Sequence, residues 1–118
     1  MLVFYLGLRR IRPVKAPQRI TVSTQLVLEA LLADPGSERY GAEIGQLADL
    51  ASGTVHPILA RLEGYGWLES RWEDLDPRSA GRPARRYYRL TSDGAASARR
   101  LLAPRRSRLA GLRPLAEQ

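Results

Sequence analysis

The stretch Ser52-Gly53-Thr54-Val55-His56-Pro57-Ile58-Leu59-Ala60-Arg61-Leu62-Glu63-Gly64-Tyr65-Gly66-Trp67-Leu68-Glu69-Ser70-Arg71-Trp72 is followed, after an acidic patch, by Ser79-Ala80-Gly81-Arg82-Pro83-Ala84-Arg85-Arg86-Tyr87-Tyr88-Arg89-Leu90-Thr91. Its reading decides the fold. Ile58, Leu59 and Leu62 stand at helical spacing, and Gly64 or Gly66 stops the helix. Residues 67–72 and 84–90 then alternate with period two. That puts Leu68, Ser70 and Trp72 on one face of the first strand, and Arg86, Tyr88 and Leu90 on one face of the second. A basic loop joins the strands, with Gly81-Arg82-Pro83 at its tip. Helix, strand, basic loop, strand is the order of a winged helix-turn-helix. The expected class is α+β, mostly helical, with a two-stranded antiparallel wing and a C-terminal dimerisation helix. Trp67, Trp72, Tyr87 and Tyr88 are expected as cross-strand and core residues that hold the wing together.

Working outward, Leu26, Val27, Ala30 and Leu31 predict a first helix from about Thr21 or Ser23, either a suitable N-cap, to Ala33. Asp34-Pro35-Gly36 ends it. A second helix is expected over Ala42 to Ala51, with Ile44, Leu47, Ala48 and Ala51 on its apolar face. Ser52-Gly53 reads as the turn, with Ser52 capping a third helix from about Thr54 to Tyr65 and Pro57 in its first turn. Thr91 is expected to cap a fourth helix, Ser92 to Ala103, that Pro104 ends or kinks. The division is a basic arm over residues 1–20, the winged domain over 21–91, and a C-terminal helix and basic tail over 92–118.

A length of 118 residues predicts one domain. The absence of cysteine excludes a disulfide framework and a thiolate metal site, and one histidine cannot make a histidine-based zinc site. No metal or cofactor is therefore expected. Nor do any residues pair as nucleophile and base, so an enzyme is not expected. The longest apolar run, Met1 to Leu8, is too short to span a bilayer, and the expected location is the cytoplasm without membrane contact. The acidic Glu73, Asp74 and Asp76 lack the glycine and downstream glutamate of a calcium loop and read as a solvated loop.

The net charge of +7 is segregated. Residues 1–20 carry five basic residues and no acid, residues 21–77 carry three against ten acids, and residues 78–118 carry eleven against two. Two basic flanks around an acidic middle point to a polyanion partner, and arginine suits phosphate and guanine. Double-stranded DNA is the expected partner. The third helix would present Ser52, Thr54, Val55 and His56 to the major groove, with Val55 against a thymine methyl and Arg61 further along. Arg78, Arg82, Arg85 and Arg86 of the wing would neutralise phosphates. A protein–protein interaction module is the alternative, because the middle segment alone is a poor groove surface.

Tyr40-Gly41-Ala42-Glu43-Ile44, Gly53-Thr54-Val55-His56-Pro57-Ile58-Leu59, Arg61 to Ser70, and Arg85-Arg86-Tyr87-Tyr88-Arg89-Leu90-Thr91-Ser92-Asp93-Gly94 together resemble the PadR-type winged-helix transcriptional regulators. With the first helix included, the resemblance covers about residues 21–103. It implies operator binding as a homodimer, usual repression, and dimer contacts from the C-terminal helices. An inverted-repeat operator follows from the two-fold axis. Leu26, Leu31, Leu101 and Leu102 are the expected dimerisation residues, being apolar beyond what one small core face needs. Three features depart from the family: His56 replaces a usual aromatic, Pro104 breaks a short C-terminal region, and the basic arm is long. Whether a small-molecule effector acts is not legible in the sequence, although the C-terminal helix has no aromatic residue to build the flat-drug pocket that some relatives carry.

Overall fold

Thr21 starts the first helix. In the computed structural model its hydroxyl accepts the Thr24 backbone N–H at 3.1 Å, capping α1 (Val22–Leu32). The structure describes residues 20–117, with side chains through Pro104, so the expected arm up to residue 19 and the side chains of the basic tail lie outside the described residues. After α1 come β1 (Arg39–Tyr40), α2 (Gly41–Ala48), α3 (Ser52–Gly64), β2 (Leu68–Trp72), α4 (Pro77–Ala80), β3 (Arg86–Leu90) and α5 (Ser92–Glu117).

The wing is a three-stranded sheet rather than the two-stranded one expected. Its order is β1-β3-β2, both pairings antiparallel. The short β1 pairs Arg39 with Tyr88 and Tyr40 with Tyr87, covering one edge of the hairpin. On β3, Tyr88 and Leu90 are buried, as their alternation predicts. On β2 the alternation fails at two positions. Trp72 is 58% exposed and Glu69 is only 4% exposed. Glu69 stands opposite Arg89, which donates to it at 2.6 and 3.0 Å, so a charge pair goes inward where a polar residue was expected outward.

The turn between α2 and α3 lies at residues 49–51, not at Ser52-Gly53. Asp49 adopts the left-handed conformation (φ 57°) and ends α2, and Leu50 donates its N–H to the Gly45 carbonyl at 2.8 Å. Ala51 is the N-cap of α3 and offers no side chain to cap it. Ser52 is therefore the first helical residue and not a cap. Pro57 falls beyond the first turn, within the helix, where it deprives the Gly53 carbonyl of its usual partner. Ala51 and Leu47, expected inward, are exposed because α2 ends early and turns only Gly41, Ile44, Gly45 and Ala48 to the core.

The core lies where α1, α2 and α3 meet the sheet and the first turns of α5. Val27, Leu28, Ile44, Leu59, Leu62, Trp67, Leu68 and Leu102 are all essentially fully buried in it. Thr91 caps α5 as expected, accepting the Gly94 N–H at 2.8 Å while donating to the Gly66 carbonyl at 2.9 Å. Pro104 does not end α5, which continues to Glu117. Pro104 and Arg100, whose carbonyl it leaves without its helical partner, are both exposed, where the cost of the missing bond is smallest.

Candidate nucleic-acid interface

The first turn of α3 is open. Ser52, Thr54 and His56 are exposed, and no side chain caps the helix. Its orphan N–H groups and partial positive charge face outward, which suits an anion. Val55 is a correction: it is fully buried beneath this turn and packs in the core, so it cannot reach a base. The His56 ring lies over α2, close enough that a Cβ on Gly41 would sit 2.7 Å from its Cε1. A glycine there is what lets the imidazole approach the start of α2 this closely while staying exposed. Arg61, also exposed, lies toward the other end of α3, beside a cleft it shares with Ile20, Thr21 and Tyr65.

The wing stands beside this turn. A cleft of about 530 Å³ has His56 and Gly41 on one wall and Trp72, Arg82, Arg85 and Arg86 on the other. The tertiary fold thus brings the helix start and three of the four predicted wing arginines to one side. Arg78 is exposed on α4, away from that cleft.

The arginines differ in what else they hold. The Arg82 guanidinium grips Glu73 with both terminal nitrogens, at 2.8 and 3.1 Å. Arg86 donates to Ser70 Oγ at 3.0 Å, reaches Glu63 at 3.5 Å, and lies 5.4 Å from the Trp72 ring. Ser70 in turn donates to Glu63 at 2.6 Å, so Arg86 ties the wing to α3. Arg85 instead stacks on Tyr40, 4.2 Å from the ring centroid, with Tyr40 edge-on to Tyr87 at 5.7 Å. Of these three arginines, Arg85 keeps the N–H edge of its guanidinium out of an ion pair.

The acidic loop is not simply solvated. Asp76 caps α4, accepting the Arg78 N–H at 3.1 Å and the Ser79 hydroxyl at 3.0 Å, and Gly81 closes α4 with φ 71°. Glu73 is held down to a pKa of about 2, first by the Arg82 hydrogen bonds, against the opposing effect of partial burial, and then by the Arg85 backbone N–H. Sequence reading missed Glu73, Tyr40 and the exposed Trp72. Glu73 meets Arg82 across nine positions of loop, and Tyr40 meets Arg85 across the sheet, so neither leaves a local signature.

The predicted dimerisation residues divide. Leu31 and Leu102 are buried in the core of this one chain, which is a correction, since Leu102 has its partners within the winged domain. Leu26 and Leu101 are partly buried against the same core. Among the described residues no helix is long and apolar enough to cross a membrane, and no group of three acidic or histidine side chains is placed to hold a metal.

A family model described as the transcriptional regulator PadR-like family matches residues 28–100. Among solved structures, a PadR family transcriptional regulator from Eggerthella lenta is 26% identical with a TM-score of 0.60, covering 82% of this chain and 87% of that one. AbfR of Staphylococcus epidermidis is 28% identical with a TM-score of 0.55, covering 71% of this chain and 52% of its own. Overoxidized AbfR bound to DNA is 30% identical with a TM-score of 0.56, over 71% and 56%. The chain spans about half the length of these AbfR structures. No curated protein gives a significant sequence match.

Proposed function

The chain belongs to the transcriptional regulator PadR-like family, and on that premise we propose that it binds a double-stranded, inverted-repeat operator as a homodimer and represses transcription there. One observation carries this reading: the uncapped, exposed first turn of α3 and the arginine wing share one side of the molecule. A duplex laid on that side meets the helix in its major groove and the wing on the neighbouring backbone. Ser52, Thr54 and His56 then face base edges and the nearest phosphate, while Arg78 and Arg85 meet phosphates. Arg61 extends the contact along the helix. Residues 1–20 act as a basic arm adding charge, 21–91 form the DNA-binding unit, and α5 leads to the partner. The solved DNA complex of a 30%-identical protein supports this reading.

The test is a gel shift against the DNA upstream of the protein's own gene, across a salt titration. A retarded band that weakens steeply with salt is expected. Thr54→Ala and His56→Ala should each cost about 1–3 kcal/mol on the best site and much less on random duplex. The second reading, a protein–protein module, draws on Arg82 and Arg86 being engaged by Glu73 and Glu63, which leaves the wing fewer cations for DNA. A chain that shifts no duplex at low salt would favour it.

A further inference from the structure

Glu73 holds several partners of the wing at once. It sits one residue past the end of β2 and receives Arg82 at 2.8 and 3.1 Å, the Arg85 backbone N–H at 3.2 Å and the Tyr87 hydroxyl at 3.5 Å. Its own backbone N–H donates to the Arg85 carbonyl at 2.7 Å. Glu73 and Arg85 therefore continue the β2–β3 ladder by one step, with a carboxylate oxygen as the acceptor of the second bond. This clasp closes a loop that otherwise holds only the single helical turn of α4. It also fixes the backbone from which Arg85 reaches Tyr40.

We propose that Glu73 is a positioning residue of the interface, which withdraws Arg82 from phosphate neutralisation and spends it on setting the wing, so that Arg85 meets the DNA. The inference rests on the DNA-binding reading and refines it. Simple charge counting treats Glu73 as a repulsive acid whose loss should help all DNA binding equally. The clasp gives a different result for specific and for random duplex, because a set wing matters only where register matters.

The experiment compares the wild type with E73Q, R82A and the double variant E73Q/R82A, on an operator and on random duplex, over a salt series. Circular dichroism and thermal melts confirm that each variant is folded. In E73Q the released Arg82 should steepen the salt slope on random duplex by about 0.9. The ratio of operator to random affinity should fall, by roughly tenfold. In R82A the slope should stay at the wild-type value while the ratio falls similarly. The double variant should return the slope to wild type without restoring the ratio, and E73D should restore part of it. The proposal is overturned if R82A flattens the slope by about one unit, since Arg82 would then be an ordinary phosphate contact. It is equally overturned if E73Q raises affinity on both duplexes alike. A wild type that binds neither duplex would instead reject the DNA-binding reading itself.

Discussion

At the scale of single residues, like side chains in one loop do different work, and their partners decide which. Arg85 rests on an aromatic face and keeps donors for a phosphate, whereas Arg86 is committed to Ser70 and Glu63. Arg85→Ala should therefore flatten the salt dependence of DNA binding by about one unit, and Arg86→Ala by much less, in an anisotropy titration over salt. Arg86→Ala should lower thermal stability instead, because it unties the wing from α3. Glu73 makes a prediction in pH. Its pKa falls from 4.5 to about 2 on folding, so between those values the unfolded chain binds more protons than the folded one. Its contribution to stability is complete above about pH 4.5 and is lost as pH falls through about 2. Denaturant melts at several pH values across that window should show a steeper loss for the wild type than for Glu73→Gln. Equal slopes would show that the clasp does not persist in solution.

At the scale of elements, the start of α5 is the most exacting junction. Thr91 bonds to both the Gly66 carbonyl and the Gly94 N–H, and its own N–H reaches the Trp67 carbonyl at 3.0 Å. This draws the first turn of α5 onto the backbone just before β2 so closely that a Cβ on Gly94 would collide with the Trp67 carbonyl. A backbone atom cannot yield as a flexible side chain does. Gly94→Ala is expected to destabilise the fold by about 3 kcal/mol, against the small gain alanine brings to an open helix. A chemical-denaturation midpoint would check it. The Glu69–Arg89 pair, with its carboxylate buried and its guanidinium partly exposed, joins the strands of the same sheet. Arg89→Ala strands a carboxylate that is 4% exposed, and should cost roughly 2–4 kcal/mol, toward the lower end because Arg89 is itself about one-third exposed.

At the scale of the whole molecule, the protomer builds its own core with the residues that looked spare. Leu102 is fully buried beside Ala98 and α1, so Leu102→Ala should cost about 2–5 kcal/mol of protomer stability instead of merely separating two copies. α5 continues beyond Pro104 to Glu117, and this run is where contact with a second copy is expected. Sedimentation equilibrium at micromolar concentration should report a dimer, and truncation after Pro104 should give a folded monomer. A full-length monomer would remove the two-fold axis, and with it the roughly 34 Å spacing of recognition helices that an inverted repeat requires.

Much of this protein was legible in its chain, for local reasons. Helical spacing placed α1 and α3, alternation placed β3, and hydroxyls at Thr21 and Thr91 marked two helix starts, because each signal acts within a few residues. The turn before α3 lies at Asp49, whose left-handed conformation has no strong sequence signal, whereas Ser52-Gly53 carries turn-forming residues but sits inside the helix. That α5 runs on through Pro104 is not legible locally, because a proline reads as a helix stop and nothing near it in sequence tells that the freed Arg100 carbonyl lies at an exposed residue. Charge segregation along the chain pointed to a polyanion, yet it could not say which arginines are available. That depends on Glu73, Glu63 and Tyr40, brought up by sheet pairing and loop closure. Burial of Val55 and Leu102 is likewise a property of packing. Periodicity assigns a face to a helix, but only the neighbouring helices and the sheet determine whether that face is covered by the chain itself, by a second copy or by DNA.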